Sequence, residues 1–592
     1  MRGKTFAEKI LGAEAGAIVF RKPDIILTHD NTSSIAGTFA KMGGEKVFDP
    51  DQLLVVLDHN APPTNAKLAN DYQKIRDFVT SQGITKFHDV GKGICHQIVS
   101  QYARPGMIVV GSDSHTCTAG AINAFAAGID RTESAGLWKQ GETWFRVPGS
   151  LKITLRGRLP EGVFAKDLSL WIIGMIGSSG ADYLSIEYHG DGVKSLSIAD
   201  RMTIANLASE MGAKNAVFPA DDVLFTWLGS SVAGTWADED ASYVREIDIR
   251  LDELFPVVAA PHHVDNVKAL SEVKGVKLNQ ALIGTCTNGR IEDLREAARI
   301  LKGQSVPVNF QLLIIPASQE IYMQAMEEGL IRIFIESGAN VLAPSCGPCL
   351  GTGQGIPADG YNVISTANRN FKGRMGNKES SIYLASPAVV AWSALKGEIA
   401  DPRGNGYSDK FPYTVEQSKT VDIESGDDRY TAGVWNYADV DNLNTDQMFA
   451  GKFTYEINSS EAEKIMPFLF KGFDDSFSER VKAGDIIVAG ANFGCGSSRE
   501  HPSVGLSYAG IKAVICKSVN RIFYRSSVNQ GLPIILLPEA VDAYKHGDSV
   551  EIDFAGGKVI VAGKVFGFSP LPSKLMGIFE SRGLVNYVKS MA

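Results

Sequence analysis

NQALIGTCTN, residues 279–288, is an apolar run that stops at Gly284 and turns into Thr, Cys, Thr and Asn. A run of this length reads as a buried strand, and the small polar residues after it as a turn. Three other stretches have the same form: DQLLVVLDH (51–59), GMIVVGSDSH (106–115) and NFQLLIIPAS (309–318). Strand, polar turn and helix in alternation is the α/β pattern, in which function gathers at the carboxyl ends of the strands. The chemistry here sits at those ends: Asp58 and His59, Asp113 to His115, and Cys286.

Outward from these strands, residues 1–400 keep the alternation. Residues 401–435 are rich in Gly, Pro, Ser and charge and read as a linker. A second unit follows over 436–592. Its segment 485–537 reads as strand, Gly/Ser turn, helix, strand, helix, strand, and VEIDFAGGKVIVAGKVFGF (550–568) as a hairpin around Gly-Gly. The first twenty residues read as an amphipathic helix, since Glu8, Lys9 and Glu14 interrupt any signal-like apolar core. No apolar run approaches the length of a membrane span.

The 592 residues are 44% hydrophobic and 21% charged, an ordinary globular balance. Net charge is −9 with no Lys/Arg run, which speaks against nucleic-acid binding and requires any anionic substrate to be held by locally placed cations. Seven cysteines without framework spacing point to a reducing, cytoplasmic compartment and to metal or redox use.

Cys346 and Cys349 form C-G-P-C in APSCGPCLGTGQG, about sixty residues after Cys286. Three thiolates, two of them close, suit an iron–sulfur cluster or a metal with one open position. A redox dithiol or half of a structural zinc site fits the C-x-x-C pair alone, although zinc usually takes a second close pair. Cys95, Cys117, Cys495 and Cys516 read as small buried residues. The Asp-His pairs, with His96 in GKGICHQI, can relay protons, or can be caps and hydrogen-bonded core residues. Arg369 and Arg374 in STANRNFKGRMG, and Arg499 in GCGSSREH, offer forks for carboxylates from turns where glycine allows close approach. Ser497 and Ser498 stand ahead of a helix start, where an anion is welcome; a capped helix with a solvated Arg is the plainer reading.

Together VGSDSHTCTAGA, SIEYHGDG, LIGTCTNGRIEDL, APSCGPCLGTGQG, STANRNFKGRMG, ASPAVVAWSALKGEI and FGCGSSREH resemble the aconitase family, in order and over essentially the whole chain. The form is most similar to the isopropylmalate dehydratase and homoaconitase branch, with large and small subunits fused through 401–435. The resemblance implies three α/β domains around an iron–sulfur cluster plus a C-terminal swivelling β/β/α domain. It implies a 4Fe–4S cluster held by Cys286, Cys346 and Cys349, with Asn288 and Asn368 near it and one iron left open for substrate. It makes Ser497 the base with Arg499 beside it to stabilise its charge, Arg369, Arg374 and Ser498 carboxylate ligands, Ser114 and Arg499 substrate-binding residues, and Asp58, His59, His96, Asp113, His115 and Glu187 the proton relay.

Two departures bear on substrate. His29 stands where aconitases contact substrate through a glutamine. In NLNTDQMFAGKFTYEI, which resembles the small-subunit specificity loop, Thr454 and Tyr455 occupy the place where homoaconitases present an arginine. That favours an alkylmalate over a tricarboxylate, although Lys452 is close enough to meet an acid. The expected protein is therefore an iron–sulfur hydro-lyase (dehydratase and isomerase) of a small hydroxy-acid. It is a monomer or homo-oligomer, with no nucleic-acid or membrane partner. The rivals are a tricarboxylate hydratase, a cluster-free RNA-binding regulator and a structural zinc protein.

Overall fold

The computed structural model describes residues 2–404, 406–415, 428–450, 453, 457, 459, 461–495 and 500–591. Among the described residues, the first 400 build three sheets of four or more strands and a two-stranded antiparallel pair, Ile18–Arg21 with Thr143–Arg146. The first orders its strands Lys86–His88, Leu53–Val56, Ile25–Thr28, Ile108–Gly111 and Phe125–Gly128, all parallel. Leu53–Val56 and Ile108–Gly111 are buried on both faces, which is why they read as unbroken apolar runs and not as alternations. These two strands flank Ile25–Thr28, so His29, Asp58 with His59, and Asp113 with His115 leave adjacent carboxyl ends of one sheet.

A second, four-stranded parallel sheet runs Asn215–Val217, Ser185–His189, Ser150–Arg156, Arg245–Arg250. The third has seven strands. At its centre Gln280–Gly284 lies parallel between Gln311–Ile315 and Asn362–Ser365. Ala339–Val341 pairs outside Gln311–Ile315 and leads into the C-G-P-C loop. Cys286, the Cys346–Cys349 loop and the Asn368–Arg374 turn therefore all leave the same end of this sheet. Its outer strands Val257–Ala259 and Val267–Ala269 run antiparallel.

The second unit has a five-stranded sheet ordered Tyr430–Thr431, Val434–Tyr437, Ile486–Ala489, Ala513–Cys516, Ile534–Leu536. Helices His501–Tyr508 and Arg521–Asn529 connect its last three strands, as the sequence pattern predicts. The tail is more than one hairpin: Val550–Asp553, Lys558–Val561 and Lys564–Gly567 form an antiparallel meander, with a second turn at Ala562-Gly563. Both turn residues have positive φ, the conformation a two-residue hairpin of primed type requires. The stretch 401–435 is structured at both ends. Arg403 pairs with Asp401 and Asp409, Phe411 and Tyr413 pack on Trp171, and Tyr430–Thr431 already belongs to the five-stranded sheet of the second unit.

The two parts share one core: Trp138, Trp144 and Phe145 of the first pack with Phe493, Phe523 and Tyr524 of the second. Helix Arg521–Asn529 crosses the joint. Arg525 donates from Nε to Glu133 Oε2 at 2.8 Å and also to Trp144 O at 2.7 Å, and Asn529 Nδ2 donates to Asp130 Oδ2 at 2.6 Å. The Arg525 and Glu133 side chains are each 1% exposed. Removing one partner strands a buried charge, at a cost of about 3–5 kcal/mol. Arg525→Ala is therefore expected to lose stability on that scale in urea unfolding followed by tryptophan fluorescence. The Glu133→Gln/Arg525→Met double variant should recover most of it, because no lone charge remains.

Candidate active site

Cys286 sits two residues past the end of its strand, in a turn that needs a glycine. At Gly284 φ is 134°, and a Cβ there would lie 2.0 Å from Ile315 O. The buried Arg290 locks the turn by donating to Cys286 O (2.8 Å) and Thr287 O (2.8 Å). The C-G-P-C loop is held against the first sheet: Cys346 N donates to Asp58 O (3.1 Å) and Gly347 N to His59 O (3.3 Å). Cys349 follows in the 3-10 turn Gly347–Leu350.

One amide joins the thiols across these elements. Asn368 Nδ2 lies 3.7 Å from Cys286 Sγ, and Cys349 Sγ lies 3.7 Å from Asn368 Oδ1. Asn206 Nδ2 approaches Cys286 Sγ at 3.4 Å, and an Arg374 terminal nitrogen approaches Cys349 Sγ at 3.8 Å. Burial pushes Cys286 up to about 12, and the neighbouring Cys349 adds to the rise. Burial, Asp58 and the other two cysteines push Cys346 well above the ordinary thiol range. Cys286 and Cys346 are thus held from ionising by burial and by their sulfur neighbours, and the three thiols, ringed by amides and a guanidinium, form a donor set suited to a bound metal centre, which would hold them as thiolates. The donor set thus fits an iron–sulfur group on Cys286, Cys346 and Cys349. Asn288 is nearby but turned: its Nδ2 donates to Asp293 at 2.9 Å, and its Oδ1 is buried without a partner among the described residues.

Beside the sulfurs runs a chain of carboxylates and imidazoles. His59 Nδ1 meets Asp58 Oδ1 at 2.7 Å, and its Nε2 lies 3.5 Å from Asp113 Oδ2. Asp113 Oδ1 takes His96 Nε2 at 2.8 Å and lies 3.3 Å from His115 Nδ1. His115 Nε2 meets Glu210 Oε1 at 2.9 Å. Glu210 grips Arg369 Nε at 2.9 Å, and Arg369 donates to Ser114 Oγ at 3.0 Å.

Burial alone would depress His59, yet Asp58 and Asp113 hold it well above the usual imidazole value. Burial opposes ionisation of Asp113 as well, but the charge of His96 and hydrogen bonds from the three histidines keep it well below the usual carboxylate range. His29 stacks on His59 with ring centroids 3.8 Å apart; burial and the charge of His59 bring it down to about 4. The arrangement is a charged imidazole between two carboxylates with a neutral imidazole on its face, a proton donor within a dry relay.

The sequence-expected residues Asp58, His59, His96, Asp113, Ser114, His115, His29, Arg369, Arg374 and Asn368 thus converge with the three cysteines. Glu187 does not. Its carboxylate accepts from Phe6 N (3.0 Å) and Tyr243 OH (3.2 Å), so it caps the first helix from within the second sheet. The acid that serves the relay is Glu210, which the sequence reading missed together with Asn206. Their signal is a polar pair four residues apart in the otherwise apolar, buried stretch IANLASEMGA. Ser497, Ser498, Arg499, Lys452, Thr454 and Tyr455 lie outside the described residues. The described neighbours of the GSSR segment are fastened: Cys495 O accepts from Thr445 N (2.8 Å), and Glu500 accepts from Thr132 Oγ1 (3.3 Å).

Residues 4–397 match the aconitase family (aconitate hydratase), and residues 413–539 match the aconitase C-terminal domain. A 3-isopropylmalate dehydratase large subunit of Archaeoglobus fulgidus is 48% identical over 68% of this chain and 99% of its own length. The corresponding large subunit 1 of Methanopyrus kandleri is 44% identical over 68% and 99%. A methanogen homoaconitase large subunit of Methanocaldococcus jannaschii is 43% identical over 67% and 99%. A crystal structure of a 3-isopropylmalate dehydratase from M. jannaschii covers 26% of this chain and 89% of its own, at 38% identity and a TM-score of 0.24. The fold and the site are those of a hydro-lyase. The chain belongs to the aconitase family, whose enzymes generally carry a 4Fe–4S cluster. Among the described residues no helix is long and apolar enough to cross a membrane.

Proposed function

We propose that the protein interconverts hydroxy-acids of the 3-isopropylmalate type by removing water to give a cis-unsaturated diacid and adding it back at the neighbouring carbon. One observation carries this reading: a charged relay lies beside three thiols, two of which, Cys286 and Cys349, share the amide of Asn368. A 4Fe–4S cluster on Cys286, Cys346 and Cys349 would supply a Lewis-acidic iron with an open position for the substrate hydroxyl and a carboxylate.

The residues of the chain divide the remaining work. Arg374, whose Nε is buried without a partner among the described residues, has a free edge for a carboxylate. Arg369 is pinned by Glu210 and keeps Ser114 oriented. His59, kept protonated between Asp58 and Asp113, gives its proton to the departing hydroxyl; Asp113 with His96 and His115 replaces it. Ser497 takes the proton from the carbon beside the carboxylate, with Arg499 and Ser498 binding the second carboxylate. The family match of residues 413–539 in the same chain supports a fused small-subunit part in residues 436–592 that completes the site, and the free cysteines support a cytoplasmic location.

The alkyl group falls to the loop with Thr454 and Tyr455, and His29 in place of a glutamine points the same way. A tricarboxylate is the second reading, favoured by the homoaconitase relatives and by Lys452. An anaerobic panel of hydroxy-acids, followed by the near-ultraviolet absorbance of the unsaturated product, separates the two. The expected order is alkylmalate ahead of homocitrate and citrate. Thr454→Arg is expected to reverse it by about 10-fold or more, the value of one charged pair. An unmoved preference would refute the role given to this loop.

A further inference from the structure

A charge inside a protein must be balanced by another charge or it is costly. Lys166 has no surface exposure, and no carboxylate hydrogen-bonds to it. It lies in the first turn of helix Ala165–Ile176, and its Nζ donates to two main-chain oxygens, Thr366 O at 3.0 Å and Ala367 O at 2.5 Å. Its neighbour Asp167 is engaged elsewhere, accepting from Phe164 N (2.9 Å) and Val257 N (3.1 Å). Burial draws Lys166 down to about 8, and the charges that resist are those of Cys349 and Cys286 first, then Glu210. The two carbonyls that it holds immediately precede Asn368 and Arg369, the residues that bridge the thiols and meet Glu210.

We propose that Lys166 is the counter-ion and positioning residue of the three-sulfur site. Its ammonium balances the thiolates of Cys286 and Cys349 and, through the Thr366 and Ala367 carbonyls, sets the turn that presents Asn368 and Arg369. The role rests on the reading that these cysteines hold an iron–sulfur cluster. Among the described residues, Lys166 is a fully buried cation whose hydrogen-bond partners are main-chain oxygens, and neither substrate binding nor proton transfer employs it.

The test uses full-length protein reconstituted anaerobically with iron and sulfide. Loss of the visible chromophore to a chelator should be about 10-fold faster or more in Lys166→Met than in the wild type. The reduction potential of the bound cluster should fall, because a nearby positive charge has gone. Lys166→Gln keeps a donor for the carbonyls without the charge, so it should lose the cluster as fast as Lys166→Met. Wild-type retention in Lys166→Gln would overturn the counter-ion role. Apo-protein gives an independent arm. In a Cys286→Ala/Cys349→Ala background neither of the two sulfurs that the ammonium balances remains, so adding Lys166→Met should raise the melting temperature; a drop would overturn the proposal. A wild-type protein that loads no cluster would sink the reading of the site itself. Variants that hold a normally loaded cluster as well as the wild type does would sink only the role of Lys166.

Discussion

Cys286→Ser protein, reconstituted with iron and sulfide, is expected to show no stable brown chromophore and to lose dehydratase activity by at least about 1,000-fold. The magnitude follows from losing a metal that stabilises the transition state by several kcal/mol, at about 1.4 kcal/mol per factor of ten. The fold should survive. The turn is fixed by Gly284 and by Arg290 bonding to main-chain oxygens, neither of which involves the sulfur. The melting temperature of the apo-variant should therefore match that of the apo wild type within a few degrees. Cys349→Ser should behave alike, since Asn368 ties the two thiols together. Cys516 is buried in the sheet of the second unit, so Cys516→Ala should keep both chromophore and activity. A Cys286→Ser enzyme with full activity would mean that the thiols are structural.

Glu210→Gln is expected to cut kcat/KM by about 100- to 1,000-fold through misplacement of groups that touch substrate. Glu210 is the hub between the relay and the carboxylate-binding arginine, accepting from His115 and Arg369 together. The change should also show in stability. Burial would raise the Glu210 pKa, but Arg369 and His115 bring it down to about 2 from the ordinary 4.5. A group depressed in the folded state binds its proton more readily when unfolded. Its contribution is thus fully present above the unfolded value and is lost as pH falls from about 4.5 towards about 2. The shift corresponds to roughly 3 kcal/mol at neutral pH. Urea unfolding at pH 7 should separate wild type from Glu210→Gln by that amount, and at pH 3 by about half or less. A gap that widened on acidification would contradict the assigned charge state.

How much of this site is legible in the sequence depends on whether a residue's role is local. The cysteines are marked by C-x-x-C and by an apolar strand that ends at Cys286. The Asp-His pairs are marked by their place after strands, and adjacent parallel pairing of Leu53–Val56, Ile25–Thr28 and Ile108–Gly111 then brings them together. Glu210, Asn206 and Lys166 carry no such mark, because their partners His115, Cys286 and Thr366 lie far along the chain and meet them only in the packed core. Glu187 errs in the opposite sense: an acid in a motif-like strand, SIEYH, is employed by a main-chain amide from the first helix. The linker shows the same limit. Its Gly/Pro/Ser composition reads as open chain, but Phe411 and Tyr413 find aromatic partners on helix Ala165–Ile176 that composition cannot reveal.

On the proposed mechanism three sulfurs hold a cluster with one iron left for the substrate. Mössbauer spectroscopy of iron-57-reconstituted protein, with and without 3-isopropylmalate, measures this most directly. The account requires one iron site distinct from the rest, whose parameters move when substrate is added while the others stay fixed. Equivalent irons indifferent to substrate, or a purified protein holding zinc and no sulfide, would contradict it.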